Sequence, residues 1–450
     1  MGQKSARSRD RSDLRSAAVS RKEQLRETGQ IREAEPKKYY HWNDEPDNIS
    51  LIINVSSVCS IVEHEIARGA AITYTFLRKK GLRTIYYGIK KGNVNMYVKT
   101  LKRFCKAFNI DLNWIEQNGV ILGPYAYPID MSSKGFVRLK THVLNEGRIL
   151  FLNKSVGGLG YVNQDPVLLR YFANAVREAG GTIRGEPRLG TYALVMHASP
   201  VLARALDASG LPFGRKTITN PSLDPLLKRD PELFRYHIRA TLTEEGSCSL
   251  TIDKHRRVRF RIAWGRSVDI TAKLSSKQIE ILKRTTIECG KNKITKGYIK
   301  DFYVISEVNK NPPLSFDQEV ILLNFYHKEK EWPEARFKAL HVSKEDRITV
   351  HWDIRFTRPE LVDLFHDEYG MLPGTWKARR FEKLYEAYKR YRGRKLIDEE
   401  IQEIRKIKEE NPPKITAEWV SEKVQELFPG AKWGKDVERI RRKLRWKGER

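Results

Sequence analysis

The sequence predicts an α+β protein: two tandem copies of a helix-strand-strand-helix-strand-strand-helix (αββαββα) unit, with helical domains at both ends. Three observations support this. The spacing of apolar residues changes between segments, the same order of elements recurs, and both copies close on a similar sequence rich in Gly and Pro. The chain has 450 residues, 40% of them hydrophobic, which is enough for about three domains with packed cores.

The charge balance indicates a polyanionic partner. Lys and Arg number 84 against 56 Asp and Glu, a formal net charge of +28, so nucleic acid is the first partner to consider. An anionic membrane is the competing partner, but no stretch approaches the roughly 18 apolar residues of a membrane span. The cysteines form no CxxC pair, which argues against structural zinc and disulfides. We therefore expect a cytoplasmic, nucleoid-associated protein.

The first 122 residues predict a leader and a helical domain. Residues 1–40 are rich in Arg, Lys, Ser and Asp and predict a flexible basic leader, either a solvated tail or a source of phosphate contacts. Residues 41–122 predict an all-α domain that resembles the repressor-type helix-turn-helix. Its second helix would carry the DNA-binding residues Arg83, Tyr86, Tyr87, Lys90 and Lys91. A helical bundle without DNA contacts is the alternative.

The first copy of the repeat covers residues 135–216. A helix, "FVRLKTHVLNEG", precedes the strand-like stretches "RILFLNK" and "GLGYVNQ". The amphipathic helix that follows begins at Asp165 and Pro166, which are typical cap and first-turn residues, and ends at a Gly pair. Strand material at 182–198 and the helix "SPVLARALDASG" complete the copy.

The second copy covers residues 230–377 and is longer, because of an insertion near 275–312. Its elements are the helix "FRYHIRATLTEEG", the strands "SCSLTID" and "RVRFRIAW", the helix "FDQEVILLNFYHKEKEWPEA", the strand "RITVHWDIRFT" and the helix "RPELVDLFHDEYG". The copies close on GLPFGRK (210–216) and GMLPGTWK (370–377). Because element order and closing sequence agree, the pattern indicates an internal repeat.

Each copy opens with a helix that ends in an acid followed by glycine, Glu146-Gly147 and Glu245-Gly246. Glycine at this position predicts a left-handed cap and allows close backbone approach. The helix dipole disfavours a carboxylate there by about 0.3–1 kcal/mol, and a bound cation would reverse that sign. If the two helices pack about a pseudo-twofold axis, both acids and nearby main-chain carbonyls form an oxygen-rich site suited to Mg²⁺ and phosphate. Two ordinary surface helix ends are the alternative.

The helices at Leu139–Gly147 and Ile238–Gly246 resemble degenerate LAGLIDADG motifs, and the resemblance covers roughly residues 135–377. It implies the pseudo-symmetric fold of a single-chain homing endonuclease, in which each half places a saddle of antiparallel strands in the major groove. It also implies a monomer that binds double-stranded DNA and uses no organic cofactor.

The resemblance assigns roles residue by residue. Glu146 and Glu245 become the catalytic acids that hold Mg²⁺ or Mn²⁺. Lys216 and Lys377 correspond to the family's basic residues near the active site, which neutralise transition-state charge or position water. The family's acid is commonly Asp, so Glu at both positions is a departure. His142 replaces an apolar position, where it either fills the helix interface or touches the site.

The C-terminal segment predicts further DNA contacts. Residues 378–395 predict a basic linker helix with Arg379 and Arg380 on the DNA backbone, although its aromatic residues fit a protein core equally well. Residues 396–450 predict a domain of three short helices, either a DNA-binding domain or a docking bundle. The DNA-binding residues of this domain would be Arg439, Arg441 and Arg442.

These features predict a site-specific, metal-dependent DNA endonuclease. One alternative is a transcription regulator on the same fold that has lost cleavage, and another is an RNA-splicing maturase. The retained pair of acids favours the enzyme, because two carboxylates facing a phosphate would weaken binding in a protein that only binds DNA.

Overall fold

A computed structural model describes residues 37–67, 78, 82, 85, 94–123, 126–152, 155–212, 214–288, 293–294, 304, 308, 312–328, 336–343, 346–411 and 414–444. The strands with described bounds are β1 (Tyr39–Tyr40), β2 (Ser50–Ile53), β3 (Val94–Tyr97), β4 (Ile121–Gly123), β5 (Ile129–Asp130), β6 (Gly147–Leu152), β7 (Ser155–Asn163), β8 (Arg188–Leu189), β9 (Leu194–Ala198), β10 (Ser247–Ile252), β11 (Val258–Asp269), β12 (Lys293–Ile294), β13 (Arg336–Val342) and β14 (Ile348–Phe356). The α-helices with described bounds are Val55–Ala67, Val98–Ala107, Leu112–Gln117, Lys134–Asn145, Pro166–Glu178, Pro200–Ala208, Lys216–Thr219, Pro231–Glu245, Ser276–Glu288, Leu314–Tyr326, Pro359–Leu364, Trp376–Tyr391, Asp398–Glu410, Ala417–Leu427 and Val437–Leu444.

Helices and antiparallel sheets are mixed along the chain, and the predicted α+β class is confirmed. In the part of the chain that the structure describes, no helix is both long enough and apolar enough to span a bilayer.

Residues 134–208 contain a helix, two strands, a helix, two strands and a helix, in that order. The four strands form one antiparallel sheet in the order β6-β7-β9-β8. In this sheet Gly147 pairs with Tyr161, and Gly160 pairs with His197. The helix Lys134–Asn145, here called the first central helix, is buried along most of its length.

Residues 231–364 repeat this order of elements, with the helix Ser276–Glu288 and β12 inserted after β11. The sheet runs β10-β11-β14-β13-β12. Its first four strands follow the same one-two-four-three order as those of the first sheet, and β12 extends the edge. The helix Pro231–Glu245, here called the second central helix, packs against the first central helix. Alternation in β11 directs apolar side chains from Val258 to Trp264 into the core.

The N-terminal segment is not all-α, so the prediction for residues 41–122 is wrong in that respect. Strands β2, β3 and β4 form an antiparallel sheet in the order β3-β2-β4 over a separate hydrophobic core. In β2, Leu51 and Ile53 are buried whereas Ser50 and Ile52 are exposed. This two-residue period lies in a short apolar run, which apolar spacing alone does not distinguish from a buried helix.

The C-terminal helices pack onto both units, since Trp376–Tyr391 contacts β10 and β11 of the second unit. The helix Trp376–Tyr391 begins inside the predicted closing sequence, and its aromatic residues from Phe381 to Tyr391 are buried. Ala417–Leu427 contacts the helix Pro166–Glu178. Nearby, the indole N–H of Trp433 donates to the carbonyl of Pro187 at 2.9 Å. The predicted basic linker is therefore part of the protein core along one face.

Candidate active site at the ends of the central helices

The two central helices meet through polar side chains as well as apolar ones. Thr141 Oγ1 lies 3.0 Å from His237 Nδ1, and Asn145 Nδ2 donates to Glu244 Oε2 at 2.6 Å. Glu146 directly follows the first helix, with its main-chain N–H bonded to the carbonyl of His142 at 3.1 Å, and Glu245 is the last residue of the second. The two predicted acids thus occupy matching positions at the ends of paired helices.

The two predicted lysines also occupy matching positions. Lys216 Nζ donates to the carbonyls of Val143, at 3.3 Å, and of Asn145. Lys377 Nζ donates to the carbonyls of Glu244 and Gly246, at 3.0 and 2.9 Å. Each ammonium therefore binds the end of one central helix, where unsatisfied carbonyls and the helix dipole favour a cation.

A second pair of matched contacts involves the basic residues at the second motif position. Lys140 Nζ donates to the carbonyl of Ser209 at 2.9 Å, and Arg239 Nε donates to the carbonyl of Tyr369. Ser209 and Tyr369 each immediately precede the first glycine of a closing sequence. Lys140 additionally forms a buried ion pair with Asp224 at 3.0 Å.

The acids and lysines share one electrostatic environment. Burial and the negative charges of Glu245 and Glu244 raise the pKa of Glu146 to about 8. Burial also raises the pKa of Glu245 despite the nearby positive charge of Arg266, although Glu245 is more exposed and water screens it more. Burial lowers the pKa of Lys216 to about 8 and lowers that of Lys377, against the opposing influence of the acids. All four predicted site residues thus lie at the ends of the two paired helices and influence one another's charge.

The donor set fits a cation that is only partly held by protein. Among the described residues there is no group of three or more His, Cys, Asp or Glu that could hold a metal ion. The helix-end carbonyls of Asn145 and Glu244, which we expected to contribute oxygen ligands, instead accept hydrogen bonds from lysines. Two carboxylates remain, a number suited to Mg²⁺, which usually keeps several waters and also binds substrate phosphate. A cation would also relieve the charge repulsion that raises the pKa of Glu146.

The glycines after the acids allow the predicted close backbone approach, but they do not form the predicted left-handed cap. Gly246 is extended, with φ −87° and ψ 174°, and neither it nor Gly147 has a positive φ, so the predicted left-handed cap is wrong. A Cβ on Gly147 would lie 2.6 Å from Val143 Cα, and one on Gly246 would lie 2.5 Å from Leu242 O. Glycine is required because the strand leaves the helix too tightly for a side chain.

A buried acid beside the site, Glu244, was missed by the sequence analysis. Its carboxylate lies 2.6 Å from His142 Nδ1 and also accepts from Asn145 and from the hydroxyl of Tyr161. His142 is fully buried, and its Nε2 lies 2.7 Å from the hydroxyl of Tyr236. His142 thus lies in the helix interface, one of the two positions considered for it.

A second buried acid, Glu319 on the helix Leu314–Tyr326, links that helix and β11 to the helix interface. It lies 2.6 Å from Arg266 Nη2, 3.0 Å from His237 Nε2 and 3.0 Å from the indole nitrogen of Trp264. Arg266 Nη2 also donates to Asn145 Oδ1 at 2.8 Å. Burial opposes ionisation, but the charges and hydrogen bonds of Arg266 and His237 outweigh it and lower the pKa of Glu319 to about 2.

A cleft of about 210 Å³ opens beside Glu245 and Lys216. Its other walls include Arg266, Ser267 and His351 from the sheet of the second unit. The cleft combines carboxylate, ammonium and guanidinium groups with solvent access, which suits a charged substrate group such as a phosphate.

Both large sheets carry basic residues that the sequence analysis did not single out. On the first sheet Arg148, Arg184 and Arg188 surround His197, and with burial their charges lower its pKa. On the second sheet the exposed or half-exposed basic residues are Arg259, Arg261, Arg336, Lys338 and Arg355. Asp353 and Asp253 pair with three of them. The alternation of Arg with apolar residues in "RVRFRI" was the available signal for this basic face.

The predicted DNA-binding residues outside the central units lie in different environments. Arg83, Tyr86, Tyr87, Lys90 and Lys91 lie outside the described residues. Arg379 lies over the ring of Trp419, 4.9 Å from its centroid, and Arg380 donates to the carbonyls of Cys248 and Asn411 at 2.8 and 3.2 Å. The side chain of Arg380 is thus engaged within the protein.

The last helix presents its arginines on the surface. Arg439 and Arg442 are exposed, and Arg441, also exposed, forms ion pairs with Glu418 and Glu438. These three residues lie on the helix Val437–Leu444, whose Ile440 and Leu444 face the core.

The raised pKa of Glu146 predicts how stability depends on pH. The pKa of Glu146 in the folded protein, about 8, lies above the ordinary 4.5. Protonation of Glu146 therefore stabilises the folded protein, and this contribution is fully present below pH 4.5 and is lost as pH rises through 8. At about 1.4 kcal/mol per pKa unit, reduced by partial exposure, we expect Glu146→Gln to be more stable than the wild type by about 1–3 kcal/mol at pH 9. Urea unfolding in EDTA at pH 5 and pH 9 measures this, and an equal difference at both pH values would contradict it.

A scan against protein-family models finds no matching family, and a search of curated proteins finds no match for this chain.

Proposed function

We propose that this protein is a site-specific double-stranded DNA endonuclease that hydrolyses phosphodiester bonds with Mg²⁺ or Mn²⁺. The observation that carries the proposal is an arrangement repeated at the ends of two paired helices: Lys216 binds the end of the helix that Glu146 follows, and Lys377 binds the end of the helix that Glu245 closes. A structural helix end needs neither a second acid nor a half-buried lysine. Duplicated chemistry at a pseudo-twofold axis suits a substrate with two antiparallel strands.

The repeated architecture supports the proposal. Both units share the order of elements and the strand order one-two-four-three. Lys140 and Arg239 make equivalent contacts to the closing segments, as do Lys216 and Lys377 to the helix ends. These agreements are what the resemblance to tandem LAGLIDADG units implies.

In this mechanism the acids and lysines have separate tasks. Glu146 and Glu245 would hold the cation, and the cation would supply electrostatic stabilisation for the charge that develops on the phosphate. Each lysine uses two of its three N–H donors on helix-end carbonyls, so one donor is available to a phosphate oxygen. Because those carbonyl bonds hold the ammonium in place before substrate arrives, little reorganisation is needed in the transition state.

Binding affinity would come mainly from the basic sheet faces. Arginine and lysine side chains on both sheets can contact the phosphate backbone, and polar side chains between them can reach base edges in the major groove. The net charge of +28 would speed association with DNA and make affinity fall with salt.

A DNA-binding regulator without cleavage is the second candidate, and one observation favours it. With a pKa of about 8, Glu146 is mostly protonated at neutral pH when no cation is bound. Its repulsion of DNA is then smaller than two ionised acids would cause, so the site tolerates DNA without metal.

The deciding experiment incubates purified protein with a pool of random-sequence plasmids, with Mg²⁺ or with EDTA. We expect discrete Mg²⁺-dependent cuts, whose mapped ends identify the target site. A Glu146→Gln, Glu245→Gln double variant should bind the same site and leave it uncut.

Salt-sensitive binding without any cutting, with the double variant binding at least as well, would overturn the endonuclease and favour the regulator. Binding confined to structured RNA would instead favour the maturase alternative. A Glu280→Gln variant, which changes an exposed acid on the helix Ser276–Glu288, controls for the loss of a negative charge.

A further inference from the structure

His351 lines the cleft, and the roles proposed for the acids and the lysines leave it without a function. It lies on β14, directly opposite Ser267 on β11, and Ser267 Oγ is 3.0 Å from its Nδ1. Both side chains line the cleft shared with Glu245 and Lys216. The hydroxyl holds one ring nitrogen, which orients the imidazole.

The backbone beneath His351 is shaped to accommodate its ring. Gly265 lies two residues before Ser267 on β11, and a Cβ there would lie 3.0 Å from both Cε1 and Nε2 of His351 and 2.3 Å from the carbonyl of Trp352. The imidazole therefore rests against a glycine on the cleft-facing side of the sheet. Because Gly265 also lines the cleft, its missing side chain leaves Cε1 and Nε2 of His351 at the cleft surface.

Among the described residues, the position of the first unit that is equivalent to His351 holds no histidine. Tyr161 on β7 pairs with Gly147, the residue after Glu146. Extending the pairing of Ser247 with Ala263 by one residue places Trp264 on β11 opposite Gly246, the residue after Glu245. Tyr161 and Trp264 therefore hold equivalent positions. Tyr161 pairs with Met196, and Trp264 pairs with Ile354. His351 lies three residues before Ile354, so its equivalent in the first unit is Ala193, three residues before Met196. An imidazole is thus present on one side of the pseudo-twofold axis and replaced by a methyl group on the other.

We propose that His351 is the general acid for one of the two strand cuts, the one made on the Glu245 side; this rests on the proposed endonuclease function. Water attacks phosphorus, forming a P–O bond, while the P–O bond to the departing sugar oxygen breaks with its electron pair. The imidazolium gives its proton to that oxygen, and the attacking water loses one proton to solvent. The neutral imidazole then regains a proton from solvent, which balances the cycle.

A strand-resolved assay tests this assignment. A duplex carrying the mapped target site, with a different label on each strand, is cut under single-turnover conditions by wild type and by His351→Gln. We expect His351→Gln to slow cleavage of one strand about 10²-fold or more and to leave the other within about twofold, so that nicked duplex accumulates.

A substrate with sulfur in place of the departing oxygen provides the chemical test. A thiolate leaves without being protonated, so the slow strand should recover to within about tenfold of the wild-type rate on this substrate. Ser267→Ala, which keeps the imidazole and loses its hydrogen bond, should slow the same strand by about tenfold. His366→Gln, a matched change at a histidine that stacks on Tyr385 away from the cleft, should leave both strands unchanged.

The outcomes separate the two proposals. If wild type never cuts, the endonuclease proposal fails and this assignment fails with it. If wild type cuts but His351→Gln slows both strands equally, or sulfur does not restore the slow strand, the proton-donor role is overturned while the endonuclease remains. Melting curves of His351→Gln that match wild type show that the fold is intact.

Discussion

Glu319→Ala is expected to lower the free energy of unfolding by about 3–5 kcal/mol, which is a large part of the total for an ordinary domain. The carboxylate of Glu319 is fully buried and interacts with Arg266, His237 and Trp264. Its removal leaves the guanidinium of Arg266, itself only 8% exposed, without its main counter-charge. The loss is larger than the hydrogen bonds alone would contribute, because a mostly buried cation at the cleft wall regains only part of its hydration.

Urea unfolding monitored by tryptophan fluorescence at pH 7 measures this loss. Glu280→Ala is the matched control, because Glu280 is an exposed acid that pairs with Lys283 and Arg284 on the surface of its helix. That change should have little effect on stability. A loss below about 1 kcal/mol for Glu319→Ala would contradict the structural role assigned to this acid.

Lys216→Met and Lys377→Met are each expected to reduce the rate of DNA cleavage by about 10²–10³-fold, with little change in DNA affinity. Methionine keeps an unbranched side chain and removes the ammonium group. Two effects add: the charge that stabilises the transition state is lost, and the helix-end carbonyls lose their donor. The loss should appear in the single-turnover rate rather than in the dissociation constant, since only the transition state carries the additional charge.

Single-turnover cleavage of the mapped site and equilibrium binding in Ca²⁺ separate these two quantities. Lys228→Met should leave both unchanged, because it removes a similar charge just before the start of the second central helix, at the opposite end from Glu245. If the lysine variants weaken binding as much as they slow cleavage, the lysines serve only as phosphate contacts, and the catalytic role is wrong.

The association of the two acids with the two lysines could be predicted from the sequence, because it depends on the order of elements within one copy and both copies have that order. Glu146 and Glu245 each precede glycine at the end of an apolar-patterned helix, and Lys216 and Lys377 end the two closing sequences. A repeated unit places equivalent residues at equivalent positions, so finding the repeat was sufficient to associate the acids with the lysines. The mixed α+β class followed from the changes in apolar period.

The N-terminal sheet and the glycine geometry were mispredicted for local reasons. A short run such as "SLII" in β2 satisfies helical and strand patterns alike, and only its pairing with β3 and β4 distinguishes them. Glycine after a helix usually has a positive φ, but Gly246 is extended because β10 begins immediately after the helix. In both cases the decisive interaction lies with a neighbouring strand rather than in the residue's own segment.

The tertiary structure alone decided which polar side chains are buried together. Arg266 and Glu319 are separated by 53 positions, and His142 and Glu244 by 102, yet each pair lies within 2.6 Å. The contact between Ser267 and His351 likewise spans 84 positions. Apolar periodicity determines which face of an element turns inward, because burial depends on spacing along one segment. Which distant residues then share that interior depends on strand register and helix packing, and these are properties of the assembled units.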